Sequence, residues 1–219
     1  MGDSVRFGLL GGTFNPIHFG HLRLAEEIYQ NLKLDRIIFI PSAIPPHKDI
    51  KKIIPFFHRF QMTSLATRGC PHFSVSDIEE RLPGKSYSIE TLKYLHKTYG
   101  EKVVFYFMLG LDEFLNIGTW KDYRELFTLS NFVVIDRPGY PKSKVNEIIT
   151  QELSKDFVFD ARDNRFIHPS NYSIYLRQTT LIDISSTKIR EYVTKGQSIR
   201  FLMPDAVYEY IHKEGLYRE

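Results

Sequence analysis

The sequence of 219 residues holds one cysteine, Cys70, so it can form no disulfide of its own. A reducing compartment is the natural setting for such a chain. That cysteine stands in Arg68-Gly69-Cys70-Pro71, a turn-like context with no local partner. A thiolate nucleophile needs an activating base, so this setting argues against catalysis. No stretch approaches the about 18 uncharged apolar residues that a membrane span requires. The N-terminus has no basic segment running into an apolar one, and Arg6 departs from the pattern of an acylated glycine start. Charge of one sign is also lacking: 29 Lys and Arg face 26 Asp and Glu, for a net charge of +3. That excess is too mild for a protein that coats nucleic acid, and no basic stripe is interleaved with aromatics. These absences predict a cytoplasmic chain with neither a membrane nor a nucleic-acid partner. There is a single tryptophan, Trp120.

What is present fits an ordinary globular protein, 42% hydrophobic and 25% charged. The length suffices for a sizeable core in one domain. Residues 5–10 read as a buried strand, and helical spacing of apolar positions starts at Leu22 and runs to Leu32. Residues 36–40, rich in β-branched side chains, form a second strand. Strand, helix, strand in this order predicts a right-handed parallel unit. The pattern continues with a loop at 41–52, a helix at 55–67 and a strand at 73–78. A helix at 88–99 follows, with Ser88 as its N-cap, then a strand at 102–109. Short helices at 113–117 and 122–127 lead to a strand at 131–136. A helix at 142–153, a short strand at 157–160, an irregular stretch at 161–172 and one or two strand segments within 173–184 come next. A helical part begins at about 185 and ends with a helix that Pro204 opens. No internal repeat or linker interrupts the chain. The alternation predicts one α/β domain over 1–219 with a mostly parallel sheet flanked by helices.

The chemistry concentrates where the first strand ends, in Gly11-Gly12-Thr13-Phe14-Asn15-Pro16-Ile17-His18-Phe19-Gly20-His21-Leu22. Glycines let backbone amides approach a phosphate, and a helix N-terminus adds partial positive charge. His18 and His21 are three residues apart, on one face of a helical turn, and each can donate to a phosphate oxygen. The stretch is neither a Walker loop nor a Gly-x-Gly-x-x-Gly fingerprint. A phosphate cradle, a plain turn and a zinc-binding histidine pair all remain open at this point, although zinc would need further ligands.

This stretch resembles the His-x-Gly-His signature of the nucleotidyltransferase superfamily. Ile184-Ser185-Ser186-Thr187-Lys188-Ile189-Arg190 is similar to that superfamily's second signature. Further segments resemble the bacterial nicotinate-nucleotide adenylyltransferase family: Pro45-Pro46-His47-Lys48, the run from Asp77 to Arg81, Lys85 to Leu92, Gly110-Leu111-Asp112, Trp120, Arg137-Pro138-Gly139-Tyr140, and Met203 to Val207. The resemblance covers nearly the whole chain and is weakest over 141–180. It implies a Rossmann-like nucleotidyltransferase fold and adenylyl transfer from ATP to nicotinate mononucleotide, with Mg²⁺ carried by the ATP phosphates and no metal held by the chain itself.

By the same resemblance, His18, His21 and Arg190 are the catalytic candidates. Gly12, Thr13, Phe14, Gly110, Asp112, Ile184, Ser186 and Thr187 join them around ATP. Lys48, Tyr87, Ser88, Trp120 and Arg137 meet the mononucleotide. Leu111 replaces the family's usual alanine, Ser88 its usual threonine, and Asn15 an aspartate common among relatives. Sister adenylyl- and cytidylyltransferases share the first signature but lack the Trp120 and 85–92 pattern, and a non-catalytic nucleotide sensor would keep ATP binding alone. A homo-oligomer is compatible with the sequence.

Overall fold

The computed structural model describes residues 4–136 and 143–218. Its first strand, β1 (Val5–Gly12), buries the apolar run Phe7 to Leu10. Helix α1 (Phe19–Asn31) starts three residues before the expected Leu22, with His18 as N-cap. The apolar pattern misses this first turn because it carries Phe19, Gly20 and His21 rather than core residues. Strand β2 (Arg36–Pro41) follows, buried beyond its first residue. The loop after it contains one tight turn, Ile50–Lys52.

Helix α2 (Phe56–Thr67) turns Arg59, Met62, Thr63 and Thr67 inward, whereas Phe57, although apolar, is 60% exposed. Strand β3 (Phe73–Val75) is shorter than the expected 73–78. The Ser76 hydroxyl captures the Ile78 amide at 3.3 Å, and the chain turns into α3 (Ile78–Arg81). Helix α4 (Ser88–Tyr99) takes Tyr87 as N-cap, with no side-chain cap bond. Ser88 is therefore its first residue, not its cap. Strand β4 (Val103–Gly110) runs directly into α5 (Leu111–Phe114), and α6 (Tyr123–Leu126) follows a tight turn at Ile117–Thr119.

Strand β5 (Asn131–Ile135) precedes α7 (Ser143–Glu147), which continues as a wider π-helical segment, Ile148–Leu153. Strands β6 (Val158–Asp160), β7 (Arg165–Ile167) and β8 (Ser173–Arg177) then form an antiparallel edge. Strand β7 lies inside the stretch read as irregular. Three residues with only Phe166 buried are too few to show alternation. Helices α8 (Ser186–Thr194) and α9 (Asp205–Lys213) close the chain. Beyond Arg177, the stretch expected to hold a second strand segment joins none of the sheet's strands.

The strand order is β3-β2-β1-β4-β5-β8-β7-β6. Every pairing from β3 across to β8 is parallel. A parallel sheet must be covered on both faces. One face packs on α4, α5, α6 and the π-helical segment through residues such as Phe105, Phe107 and Phe132. The other packs on α1, α2, α8 and α9 through Leu10, Phe39 and Met108. The order reverses beside β1, whose neighbours are β2 and β4. The crevice at the carboxyl ends of those strands is where open α/β sheets bind ligands.

Candidate active site

The site grows from Gly12, the last residue of β1. Phe14 follows in the left-handed region at φ 46° and is 2% exposed. A non-glycine residue there costs about 1 kcal/mol or more and is held only by surrounding packing. The Phe14 ring meets His21 edge-on at 5.1 Å and Phe39 at 6.0 Å. A Cβ at position 12 would lie 3.0 Å from the same ring. Glycine there thus makes room for the turn.

His18 is 6% exposed and His21 half-buried. Their rings lie 3.8 Å apart, tilted by 32°. The His18 amide donates to His21 Nδ1 at 3.3 Å. An acceptor Nδ1 in a neutral ring places the proton on Nε2, so His21 offers an Nε2–H donor. Gly20 explains the spacing of the motif: a Cβ there would stand 3.0 Å from His18 Nδ1. The expected pairing of the two histidines on one turn is what the structure shows.

The second signature sits against the first. Ser185 caps α8 by accepting from the Lys188 amide at 3.2 Å. Ser186 donates its hydroxyl to the Pro16 carbonyl at 2.7 Å. Arg190 donates through Nη1 to the Asn15 carbonyl at 2.8 Å and through Nη2 to Thr187 Oγ1 at 3.3 Å. Ile184, half-buried, packs under this helix start against the core. Asn15 uses both ends of its amide: Nδ2 donates to the Lys52 carbonyl at 3.2 Å, and Oδ1 accepts from the Tyr217 hydroxyl at 3.0 Å. An aspartate could not make the first of these bonds.

Lys48 is exposed along much of its length, yet its ammonium turns inward and donates to Thr13 Oγ1 at 2.9 Å. Burial of that end lowers its pKa below the ordinary lysine value. Glu113 and Asp112 oppose the shift, while Arg190 and Arg59 add to it. Three cations therefore interact around one turn, which is an arrangement suited to polyanions.

Arg59 was not singled out from sequence. It is 1% exposed and donates to three carbonyls, Thr13 at 2.9 Å, Ala43 at 3.2 Å and Ile54 at 3.1 Å. Its signal was the period of α2, which places position 59 on the same face as Met62, Thr63 and Thr67. Tyr217 was missed as well. Burial raises its pKa far above the usual phenol range, although Arg190 and Arg59 pull the other way, so it stays a hydroxyl donor.

The mononucleotide candidates form a second group. Ser86 and Ile44 exchange two bonds, Ser86 N to Ile44 O at 2.9 Å and Ile44 N to Ser86 Oγ at 3.1 Å. These tie the Lys48 loop to Tyr87 and Ser88 at the start of α4. The Lys121 ammonium lies 5.1 Å over the Tyr87 ring, which brings the residue after Trp120 to the same place. Trp120 is half-buried and meets Phe107 edge-on at 6.1 Å. Gly110 ends β4, and Asp112 lies in the first turn of α5. Arg137 lies outside the described residues. Cys70, expected to lack a local partner, has one: its Sγ is 3.3 Å from His72 Nε2. His72 is two positions away, across Pro71. Burial and the Glu26 carboxylate raise the Cys70 pKa, which disfavours the thiolate.

Two signatures clasped together, Ser186 and Arg190 onto the turn after β1, at the switch point of a doubly wound sheet, define the nucleotidyltransferase class. The Cytidylyltransferase-like family profile matches residues 9–192. Within that class, the chain belongs to the nicotinate-nucleotide adenylyltransferase family. A protein of Syntrophotalea carbinolica named "Probable nicotinate-nucleotide adenylyltransferase" is 44% identical over 98% of each chain. A protein of the same name from a Thermoanaerobacter species is 42% identical over 100% of this chain and 97% of its own. The structure of Plasmodium falciparum nicotinic acid mononucleotide adenylyltransferase complexed with NaAD has a TM-score of 0.73 over 97% of both chains. At 20% identity that likeness speaks for the fold. No helix among the described residues is long and apolar enough to cross a membrane.

Proposed function

We propose that the chain transfers the adenylyl group of ATP to nicotinate mononucleotide in the cytoplasm, giving deamido-NAD and pyrophosphate. One observation carries the reading: Ser186 and Arg190 bond the backbone of the turn that Lys48 also reaches, at Pro16, Asn15 and Thr13. The site thereby gathers amides, imidazoles, a guanidinium and an ammonium around one turn, groups suited to phosphates.

The 5′-phosphate of the mononucleotide attacks the α-phosphorus of ATP. The bond to the β-phosphate's bridging oxygen breaks, and pyrophosphate carries away the electron pair. That nucleophile is already ionised near neutral pH, so the chain need not remove a proton. Its task is to align two polyanions and offset charge on the oxygens. His21, less buried than His18 and bearing Nε2–H, donates where charge develops. His18 supports it. Gly12, Thr13 and Phe14 bring backbone to the nucleotide. Arg190, with Ser186 and Thr187 at the start of α8, receives the pyrophosphate. Gly110 and Asp112 meet the ribose, and Ile184 lies beside the adenosine.

Lys48 meets the mononucleotide's phosphate, the backbone of Tyr87 and Ser88 its carboxylate, Trp120 its ring, and Arg137 the same substrate. Mg²⁺ prefers phosphate oxygens and water, and the imidazole and cationic groups around the turn suit phosphate rather than the ion. It therefore fits as an ion carried on the ATP phosphates, where it would neutralise their charge. Pyrophosphate release from ATP in the presence of nicotinate mononucleotide tests the reading; release that does not depend on the mononucleotide would refute it.

A further inference from the structure

Among the described residues, one trio of potential metal ligands converges: Glu26, Cys70 and His72, whose ligand atoms all lie within 4.8 Å of one another. It lies away from the transfer site. Glu26 projects from α1, and the 70–72 turn joins α2 to β3. The His72 carbonyl accepts from the Ile37 amide at 2.8 Å, at the start of β2. The trio thus belongs to the amino ends of the strands, opposite the crevice.

We infer that Glu26, Cys70 and His72 form a binding site for one zinc-like divalent cation that clamps α1 to the turn before β3. Glu26 Oε2 lies 2.7 Å from His72 Nε2, and Cys70 Sγ lies over the same imidazole, 3.3 Å from Nε2 and 3.7 Å from Nδ1. A nucleophile relay needs its partners on opposite nitrogens. Here a thiol and a carboxylate instead converge on one imidazole, with all three ligand atoms within 4.8 Å of one another, the compactness of a chelate. Bonds of about 2.0–2.3 Å at tetrahedral angles separate ligand atoms by roughly 3.3–3.8 Å. The sulfur–nitrogen distance of 3.3 Å lies in that range, and a rotation of the Cys70 side chain off the ring face brings the sulfur toward the Nε2 lone pair. The Glu26 side chain is 27% exposed, so its carboxylate is free to swing outward from its 2.7 Å contact toward that separation.

Supporting groups aim the ligands. The Tyr29 ring stacks on His72 at 3.8 Å and 14°, and Phe73 meets it edge-on at 4.8 Å. Gln30 Nε2 donates to Glu26 Oε1 at 2.7 Å and leaves Oε2 for the cation. Outer partners of this kind orient ligands and raise affinity. The ligand types choose the ion. A thiolate, an imidazole and a carboxylate suit Zn²⁺ and reject Mg²⁺, so the site does not compete for the ion that accompanies ATP. Three protein ligands leave one position for water. Binding sends the thiol proton to solvent, and His72 ligates as a neutral imidazole through Nε2 with its proton on Nδ1. The proposal is independent of the transfer reaction.

The test uses the full chain, stripped of metal by a chelator and titrated with Zn²⁺ and with Co²⁺. One equivalent of Zn²⁺ binds and raises the melting temperature, and Mg²⁺ does neither. Co²⁺ produces a thiolate charge-transfer band in the near ultraviolet. Cys70→Ser removes that band, and both Cys70→Ser and His72→Gln lose stoichiometric zinc while keeping adenylyl transfer. Gln30→Ala weakens zinc binding by about 10-fold to 100-fold. Absence of zinc binding, zinc retained in both ligand variants, or a cobalt complex without the band would each overturn the inference. The cobalt spectrum of the unaltered chain decides the matter even if a variant folds poorly.

Discussion

Replacing Arg59 by methionine keeps most of the apolar stem and deletes the guanidinium. Three carbonyls lose their donor: Thr13, Ala43 and Ile54. Hydrogen bonds from a charged group contribute about 1.5–3 kcal/mol each, so the gross loss is roughly 5–9 kcal/mol. Removing a buried charge returns a desolvation cost of several kcal/mol, which offsets much of this. A net loss of about 3 kcal/mol is expected, close to the lower end for breaking a buried charged contact. For a chain of this size that lowers the melting temperature by about 6–12 °C. Activity falls further than stability implies, because Arg59 holds the Thr13 carbonyl beside the nucleotide turn. A displacement of about 1 Å at such a position costs roughly 100-fold. Arg59→Lys retains the charge but cannot reach three carbonyls from one ammonium, so it does not rescue. Thermal unfolding and pyrophosphate release, measured below the melting point of each variant, read the two effects separately. Variants within about 0.5 kcal/mol of the parent and with unchanged kcat/KM would refute the reasoning.

His21→Ala should lower kcat by at least about 100-fold, as for loss of a donor to the transition state, with little change in melting temperature; a drop of less than tenfold in pyrophosphate release would count against its role. Trp120→Ala should raise KM for the mononucleotide about fivefold, from the roughly 1 kcal/mol that ring stacking adds beyond burial, and leave KM for ATP unchanged. In the proposed reaction Lys48 binds phosphate as an ammonium, and burial lowers its pKa below the ordinary lysine value. The kcat/KM for the mononucleotide should therefore decline on the alkaline side at a pH below the ordinary lysine range. Lys48→Arg should move that decline to higher pH, and an unshifted profile would remove Lys48 from the phosphate.

The elements that position the site were legible because their apolar periods are strong: β1, β2, β4 and β5 are continuous buried runs, and α4 has a clear amphipathic pattern. The two signatures were legible as motifs. Their clasp was not, because Ser186 to Pro16 and Arg190 to Asn15 are contacts between residues about 170 positions apart. Local rules failed where a side chain served tertiary structure. Ser88 looks like a cap by residue type but is the first residue of α4, and Thr91, three residues on, gives its hydroxyl to the buried Glu79 at 3.0 Å. Arg59 was hidden because a charged residue on an inward helix face looks like a misplaced surface residue until its three carbonyls are seen. Strand β7 was too short to register. Cys70 and His72 gave no signal, since their third partner, Glu26, lies on a different element.

The central claim is the pair of substrates joined. Purified chain given ATP, Mg²⁺ and either nicotinate mononucleotide or nicotinamide mononucleotide should release pyrophosphate, with deamido-NAD formed from the nicotinate substrate in equal amount. No turnover with either mononucleotide, under conditions where the protein is folded, would contradict the account.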